Sequence, residues 1–250
     1  MSFVYGQSPP QGSAVPELGT ALRTIHADRD WWKKVLVGGA LWLTLLGWPV
    51  VEGHQLESIE NSQRGFPTPL PRWDDIGGKA VLGIFALVID FFYFLFPLIL
   101  GGMVFFCGTL FVGLAGNGGA TGVVARVTLV VPALYVLGVW AAGASAVAKQ
   151  RYVVEGDLPA GLSGGLVWQL LRRPGRGMYL RARLLSLPPY LLAIALLVLS
   201  AWVFTSTTLG GLLILWLALS GLTYARLVTI QLYLAATRAA ESRRFTTLHP

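Results

Sequence analysis

Charge, cysteine and histidine are all scarce in this sequence, and each scarcity excludes a class of protein. Asp, Glu, Lys and Arg make up 12% of the 250 residues, about half the roughly 25% of soluble domains. They are too few to cover a soluble globule, which excludes an ordinary soluble enzyme. The single cysteine, Cys107, permits no intrachain disulfide and excludes a disulfide-stapled secreted domain. With three histidines in all, the sequence contains no Cys/His spacing typical of a metal site.

Apolar residues are abundant instead. Ala, Val, Ile, Leu, Met, Phe, Trp, Tyr and Cys make up 54% of the chain, and the mean hydropathy is +0.63, which indicates an integral membrane protein. A net charge of +7 and a pI of about 9.9 would suggest nucleic acid as the partner of a soluble protein. In a membrane protein they are typical of cytoplasmic loops that face anionic lipid. We therefore expect a lipid bilayer, and no nucleic acid, as a partner.

Uncharged runs predict an all-α polytopic bundle of about six transmembrane helices with short interfacial amphipathic helices. A spanning helix needs about 20 apolar residues, so the uncharged run 184–225 holds two spans. Pro97 and Gly101-Gly102 favour a break within 80–115; a single bent helix there would reduce the count to five. The predicted spans are 35–51, 80–96, 98–115, 122–147, 184–206 and 209–237.

The distribution of Lys and Arg predicts the orientation. With six spans, 14 of these residues fall on the cytoplasmic side and 3 on the connection 52–79; with five spans the numbers are 13 and 4. Six spans with both termini cytoplasmic, in the inner (plasma) membrane, is the preferred topology. Residues 1–30 have no apolar signal-peptide core and are expected to form a flexible cytoplasmic tail. The helical membrane domain then covers 31–240, and 241–250 form a C-terminal tail.

A short motif carries a family resemblance. Residues 69–77 read Pro-Leu-Pro-Arg-Trp-Asp-Asp-Ile-Gly, and the first predicted span opens with Trp31-Trp32-Lys33-Lys34. With these two features the chain resembles the bacterial and archaeal multi-pass membrane proteins grouped as domain of unknown function four thousand and thirteen. The resemblance covers roughly residues 28–235. It implies a fold and a membrane location but no reaction.

The motif residues Pro69, Pro71, Trp73, Asp74 and Asp75 also have a direct physical interpretation. The two carboxylates precede a predicted helix, where they can cap free N–H groups and face the positive end of the helix dipole. Proline favours extended backbone at the residue before it, and the tryptophan can lie at the headgroup level. The motif is therefore interpreted as a structural cap and an interfacial turn. The alternative is a carboxylate pair that binds a cation or a protein partner.

Two basic segments are candidate lipid contacts. Trp31, Trp32, Lys33 and Lys34 have the aromatic and basic makeup of an interfacial anchor. The second segment, 151–183, combines leucines at helical spacing with an arginine cluster, and it is predicted to form a basic amphipathic helix on the cytoplasmic headgroups. A helix packed on the protein's own core is the equal alternative. The cluster includes Arg172, Arg173 and Arg176.

Asp90 is the candidate for an intramembrane site. It interrupts an apolar run, where a carboxylate costs about 2.5–3.5 kcal/mol on the insertion scale, so we expect it to face the protein interior and to have a partner. Arg126 and Arg226 are the candidate cations, and Tyr93 and Tyr135 are the candidate hydrogen-bond donors. A protonatable or cation-binding site in a transport path would explain the residue. A structural ion pair or hydrogen bond between helices explains it at least as well.

Three functions remain open, and none is enzymatic. The segment Gly161-Leu162-Ser163-Gly164-Gly165 matches a nucleophile-elbow pattern but lacks the strand–turn–helix context that the pattern requires. The preferred hypothesis is a non-catalytic accessory, scaffold or assembly subunit, whose partners are other membrane subunits or further copies of itself. The alternatives are a small transporter or channel subunit that uses Asp90, and a lipid-interacting, membrane-organising protein. The sequence identifies no cofactor.

Overall fold

The computed structural model describes residues 15–44, 46–114, 143–165 and 175–248, and every regular element in these ranges is a helix. The prediction of an all-helical protein is therefore confirmed for the described residues. Helix α5 is described over 143–155. The other helices are α1 Leu18–His26, α2 Trp31–Trp42, α3 Gly47–Gln63, α4 Ile76–Leu114, α6 Leu158–Leu162, α7 Gly175–Phe204 and α8 Thr208–Leu248.

Among the residues that the structure describes, three helices are long and apolar enough to cross a membrane. The stretches concerned are Ile76–Gly108 of α4, Gly175–Phe204 of α7 and Thr208–Ser242 of α8. Large apolar side chains project outward from them; Phe91 is 66% exposed and Trp202 is 69% exposed. Apolar surface of this extent is stable when it faces lipid, so the three helices suggest a membrane protein.

The predicted spans correspond only partly to these helices. Span 184–206 corresponds to α7, which ends two residues earlier at Phe204, and span 209–237 falls within α8. The separate spans 80–96 and 98–115 are a single helix, α4, which continues through Pro97. A proline removes one backbone hydrogen bond, and long apolar helices tolerate this loss where neighbouring groups satisfy the freed carbonyl. Most of span 122–147 lies outside the described residues.

The prediction of one span over 35–51 is wrong, because the chain folds back on itself in this region. If α2 and α3 continued in one line, Lys34 and His54 would be about 30 Å apart at 1.5 Å per residue. Both contact the same indole instead. The Nε1 of Trp73 donates to the backbone oxygen of Lys34 at 3.0 Å, and the Trp73 ring stacks on the His54 ring at 4.1 Å. Helices α2 and α3 therefore form an antiparallel hairpin.

Local contacts close the tip of this hairpin. The backbone N–H of Gly47 donates to the Thr44 hydroxyl at 3.1 Å. The indole of Trp48 donates to the backbone oxygen of Trp42 at 3.0 Å, and the two rings lie 5.3 Å apart. Leu46, at the tip, is 86% exposed. The hairpin thus has an apolar tip. Its open end lies next to the segment 64–75, which leads into α4 and which we call the strap.

Helix α3 lies at the centre of the described structure. Eleven of its 17 residues are buried, although it is too short and too polar to be a span. Helices α3 and α4 cross where two glycines let the backbones touch. A Cβ on Gly83 would overlap the carbonyl oxygen of Pro49, and a Cβ on Gly53 would overlap that of Lys79. Small residues are the usual means of such close helix contact in membranes.

Both predicted tails include helix. Within 1–30, residues 18–26 form α1, with Ala21 and Ile25 buried in the main core, because apolar residues at a spacing of four share one helix face. Within 241–250, α8 continues to Leu248, since no Gly or Pro interrupts the segment before Pro250.

Candidate functional site

The strap receives three hydrogen bonds from the α2–α3 hairpin through successive carbonyl oxygens of residues 69–71. The side-chain amide of Asn61 donates to the oxygen of Pro69 at 3.2 Å, and the Lys34 ammonium donates to that of Leu70 at 2.7 Å. The Nε2 of His54 donates to the oxygen of Pro71 at 3.2 Å. The prolines supply no N–H of their own and hold the segment extended, so its carbonyls face these donors. The strap thereby fixes the open end of the hairpin.

The two motif carboxylates have different positions. Asp75 is the N-cap of α4, and its Oδ1 accepts the backbone N–H of Gly78 at 3.0 Å, as expected of a cap. Asp74 is 70% exposed and lies 3.5 Å from the Nζ of Lys79, which forms a closer ion pair with Glu57 at 2.8 Å. Among the described residues no group of three His, Cys, Asp or Glu side chains could hold a metal ion. This geometry favours the structural interpretation of the motif.

The residues of the Trp31–Lys34 tetrad point in two directions. Trp32 and Lys33 are exposed, with the Lys33 ammonium 5.5 Å from the centre of the Trp32 ring. Trp31 packs between His26 and Tyr224, and Lys34 forms an ion pair with Asp28 at 2.6 Å. Only the outward pair is placed for contact with headgroups.

The environment of His54 suppresses its protonation. Its side chain is 1% exposed, and burial, followed by the nearby charges of Lys79 and Lys34, lowers its pKa from 6.5 to about 3, against the hydrogen bond to Pro71. Since a carbonyl only accepts, the Nε2 carries the hydrogen and the ring is neutral. In the unfolded chain the same ring would protonate below about pH 6.5.

We therefore expect acid to destabilise the protein through His54. Between the two pKa values the unfolded state binds a proton that the folded state rejects, so this stability is present above pH 6.5 and is lost as the pH falls. The loss amounts to about 2 kcal/mol between pH 7 and pH 5. Thermal unfolding in detergent over this range should show a flatter pH dependence for His54→Gln. An unchanged slope in that variant, or an equal flattening in the exposed-histidine control His26→Gln, would contradict the assignment.

Asp90 lies in a network of four charged side chains. The Nζ of Lys149 is 2.7 Å from the Oδ2 of Asp90 and 2.8 Å from the Oε2 of Glu52. Arg226 forms an ion pair with Glu52 through Nη1 and lies 3.5 Å from Asp90 through Nη2. The hydroxyl of Ser145 donates to the other oxygen of Asp90. We call the residues Glu52, Asp90, Lys149 and Arg226 the ion network.

The ion network is electrically balanced and joins four helices. Its two carboxylates come from α3 and α4, and its two cations come from α5 and α8. Glu52 and Lys149 are 1% and 6% exposed, whereas Asp90 and Arg226 are 19% and 20% exposed. The network is therefore closed on the Glu52 side and more open on the Asp90 side. The guanidinium of Arg226 also lies 5.4 Å from the centre of the Trp42 ring, near the hairpin tip.

Sequence reasoning found part of this network. The structure brings Asp90 and Arg226 together, whereas Arg126 and Tyr135 lie outside the described residues. Tyr93 donates to the backbone oxygen of Gly161 at 3.1 Å instead of to Asp90. Glu52 and Lys149 were missed because each directly follows an uncharged run, where a charge is usually the solvated end of a span. Their opposite charges at two such ends were the only available signal.

A second polar cluster lies at the open end of the hairpin. The side-chain amide of Gln231 donates to the Ser62 hydroxyl at 2.9 Å, and Arg238 donates to the backbone oxygen of Ser62 at 2.7 Å. The Thr237 hydroxyl donates to the Oε1 of Gln150 at 2.8 Å. Arg238 is exposed, so this cluster, unlike the ion network, reaches the surface. We call Ser62, Gln150, Gln231, Thr237 and Arg238 the mouth cluster.

The predicted basic amphipathic helix is described only in part. Arg172 and Arg173 lie outside the described residues, and Arg176 is exposed near the start of α7. The short helix α6 contacts α4, and its Leu158 and Leu162 pack against the main core. Lipid contact by this segment stays a prediction.

Comparison with known proteins identifies a family. The family model described as "Protein of unknown function (DUF4013)" matches residues 36–204, which confirms the resemblance seen in the motif at 69–77 and in the opening of the first predicted span. No curated protein and no solved structure matches the chain.

Proposed function

The chain belongs to the family Protein of unknown function (DUF4013), which assigns no activity, and we propose that it is a small, non-enzymatic transport or channel subunit that moves protons. The observation that carries this proposal is the ion network, since four ionisable side chains sit between two helices long and apolar enough to span a membrane. Charged groups in such positions are costly and commonly mark ion or proton pathways.

The proposed topology has four crossings and one re-entrant hairpin. In it, α4, α7 and α8 cross the plasma membrane, and the span 122–147, predicted from the sequence and mostly outside the described residues, supplies the fourth crossing. The α2–α3 hairpin enters and leaves on the cytoplasmic side, where both termini also lie. The positive-inside tendency supports this arrangement. Of the 19 Lys and Arg residues, Lys149 and Arg226 belong to the ion network, and Arg126 falls in the predicted span 122–147. The other sixteen lie in segments that this topology makes cytoplasmic, namely 1–34, 64–79, 151–183 and 238–244.

The ion network can couple protonation to movement. When Asp90 binds a proton, Lys149 and Arg226 share Glu52 as their one remaining carboxylate, and the site gains a net positive charge. An uncompensated buried charge destabilises its surroundings by about 3–5 kcal/mol, enough to favour a different arrangement of the hairpin against α4 and α8. Asp90 is the carboxylate through which a proton leaves or enters on the open side.

Proton flux into liposomes tests the proposal. Purified protein is reconstituted, a potassium diffusion potential is imposed with valinomycin, and internal pH is followed with a dye. We expect flux in the wild type, its loss in Asp90→Asn, and at least partial recovery in Asp90→Glu. The fold should survive Asp90→Asn, because Glu52 still contacts both cations.

Asp157→Asn is the matched control. Asp157 is exposed, and its side chain makes no capping hydrogen bond at α6, so the same chemical change there should leave the flux intact. Absence of flux in the wild type under potentials of either sign would overturn the proposal. So would an Asp90→Asn variant that transports as fast as the wild type.

A non-catalytic subunit of a larger membrane complex is the second candidate. Only 17% of the most apolar stretch of α7 and 25% of that of α4 are buried within the described structure. The remaining surface is open to other subunits or further copies of the chain as well as to lipid. If the liposomes show no flux, the size and composition of the particle extracted in a mild detergent decide this case; a monomer would count against it.

A further inference from the structure

A continuous line of buried polar residues runs along α3. Glu52, Gln55, Ser58 and Ser62 follow one another at intervals of three or four residues, within about one third of the helix circumference. All four are buried; Gln55 is 3% exposed and Ser58 is fully buried. The line begins at the ion network and ends, about 15 Å further along the helix, at the mouth cluster. We call these residues the polar stripe.

The interior of the stripe is incompletely hydrogen-bonded. Among the described residues, the Nε2 of Gln55 and the hydroxyl of Ser58 have no hydrogen-bond partner, and the same holds for the Nε2 of Gln150 in the mouth cluster. Buried polar groups are nearly always paired, and one left unpaired costs about 1–3 kcal/mol. Two of these atoms lie between the ion network and the mouth cluster, and the third lies within the mouth cluster. Ordered water is the ordinary partner of groups in this position.

Apolar residues adjoin the polar stripe on the same helix. Leu56 and Ile59 are as deeply buried as the stripe, but they belong to an apolar cluster with Ala86, Ile230 and Leu234. On α3 the Nδ1 of the buried His54 also has no hydrogen-bond partner, and the unpaired atoms of His54, Gln55 and Ser58 come from positions that share an arc of about 100° around the helix. A dry apolar core next to a hydrated polar line is the arrangement expected of a narrow water path.

We infer that the polar stripe lines a water-filled half-channel, which connects the aqueous side at Arg238 with Glu52 in the ion network. Its occupants are water and protons, because the path is lined by hydroxyl and amide groups and ends at a carboxylate. With Asp90 more open on the other side of the network, the protein would have one route to each carboxylate. This inference rests on the proposed function, but its test measures the accessibility of thiols and not transport.

Thiol accessibility to silver ion tests the inference. Cys107, the single native cysteine, is exposed and is first replaced by serine. Ser58→Cys and Ile59→Cys are then made in this background, since the two positions are adjacent and equally buried. Each variant is exposed to Ag⁺ in liposomes, and the thiols left free are counted with a fluorescent maleimide after unfolding. We expect Ser58→Cys to react rapidly and Ile59→Cys about a hundredfold more slowly, because it reacts only through local opening.

Every outcome decides the inference. Slow reaction at both positions would show a dry stripe, and rapid reaction at both would show that α3 opens as a whole; either result overturns the half-channel. If the Ser58 variant fails to fold, Gln55→Cys and Leu56→Cys form an equivalent pair. Selective reaction without proton flux would support the half-channel and overturn the proposed function. Proton flux without selective reaction would support the proposed function and overturn the half-channel.

Discussion

Glu52→Ala is expected to cost about 3–5 kcal/mol of unfolding free energy, because Glu52 contacts both cations of the ion network and is almost fully buried. Removing its carboxylate leaves Lys149 and Arg226 with Asp90 alone. The double variant Glu52→Ala/Lys149→Met restores the charge balance with one Asp90–Arg226 pair. It should therefore be more stable than Glu52→Ala, with a coupling energy of about 1–3 kcal/mol. Unfolding in mixed micelles of mild detergent and dodecyl sulfate measures the loss of unfolding free energy and the coupling energy.

An exposed ion pair provides the control for this cycle. Arg64 and Glu60 are one helical turn apart, with their charged atoms at 2.5 Å and side chains 60% and 39% exposed. Glu60→Ala should change the unfolding free energy by less than about 1 kcal/mol, as is usual for solvated pairs. The prediction is contradicted if Glu52→Ala lowers the unfolding free energy no more than Glu60→Ala does. It is also contradicted if the loss in the double variant equals the sum of the losses in Glu52→Ala and Lys149→Met.

Gly83→Ala is expected to prevent close packing of α3 against α4. The added methyl group would overlap the carbonyl oxygen of Pro49 and lies 2.8 Å from the backbone nitrogen of Gly53. Backbone atoms cannot move aside as a flexible side chain can, so the helices must separate. Overpacking of this kind typically costs 1–3 kcal/mol and occasionally more; with backbone on both sides we expect at least about 3 kcal/mol. Thermal unfolding of purified protein and the yield of monodisperse protein report the loss.

Gly102→Ala is the matched control on the same helix. Nothing lies within 4 Å of the position where its Cβ would be placed, and alanine is the better helix former by up to about 1 kcal/mol. This variant should be as stable as the wild type or slightly more stable. Equal melting temperatures for Gly83→Ala and Gly102→Ala would show that α3 and α4 do not cross at Gly83.

The long outer helices were predictable because they depend on local composition. The uncharged run 184–225 could only be two spans, and it contains most of α7 and the first half of α8. The cap at Asp75 was also predictable, since a carboxylate before an apolar helix has few other uses. For Asp90, the cost of a charge among apolar residues required a partner, and Arg226 was one of the two cations named.

The α2–α3 hairpin was not predictable in the same way. Residues 35–51 contain no charge, and their composition is equally compatible with one span and with two short helices. The fold-back depends on Trp73, which is 39 positions beyond Lys34 in the chain. Periodicity within a window carries no information about such a contact. The ion pairs of Lys149 were not predictable for a related reason, because its two partners lie 97 and 59 positions away in the chain.

The separation of the network's residues along the chain also affects how the protein is made. Glu52 is synthesised 174 residues before Arg226, which at about 5–20 residues per second is roughly 10–35 s of translation. During that interval the ribosome has delivered both carboxylates but only one cation, Lys149. Glu52 of the hairpin therefore lacks one of its two cations until α8 has been synthesised. Premature termination before Arg226 would leave two carboxylates with one cation, a net negative charge that is costly among apolar helices.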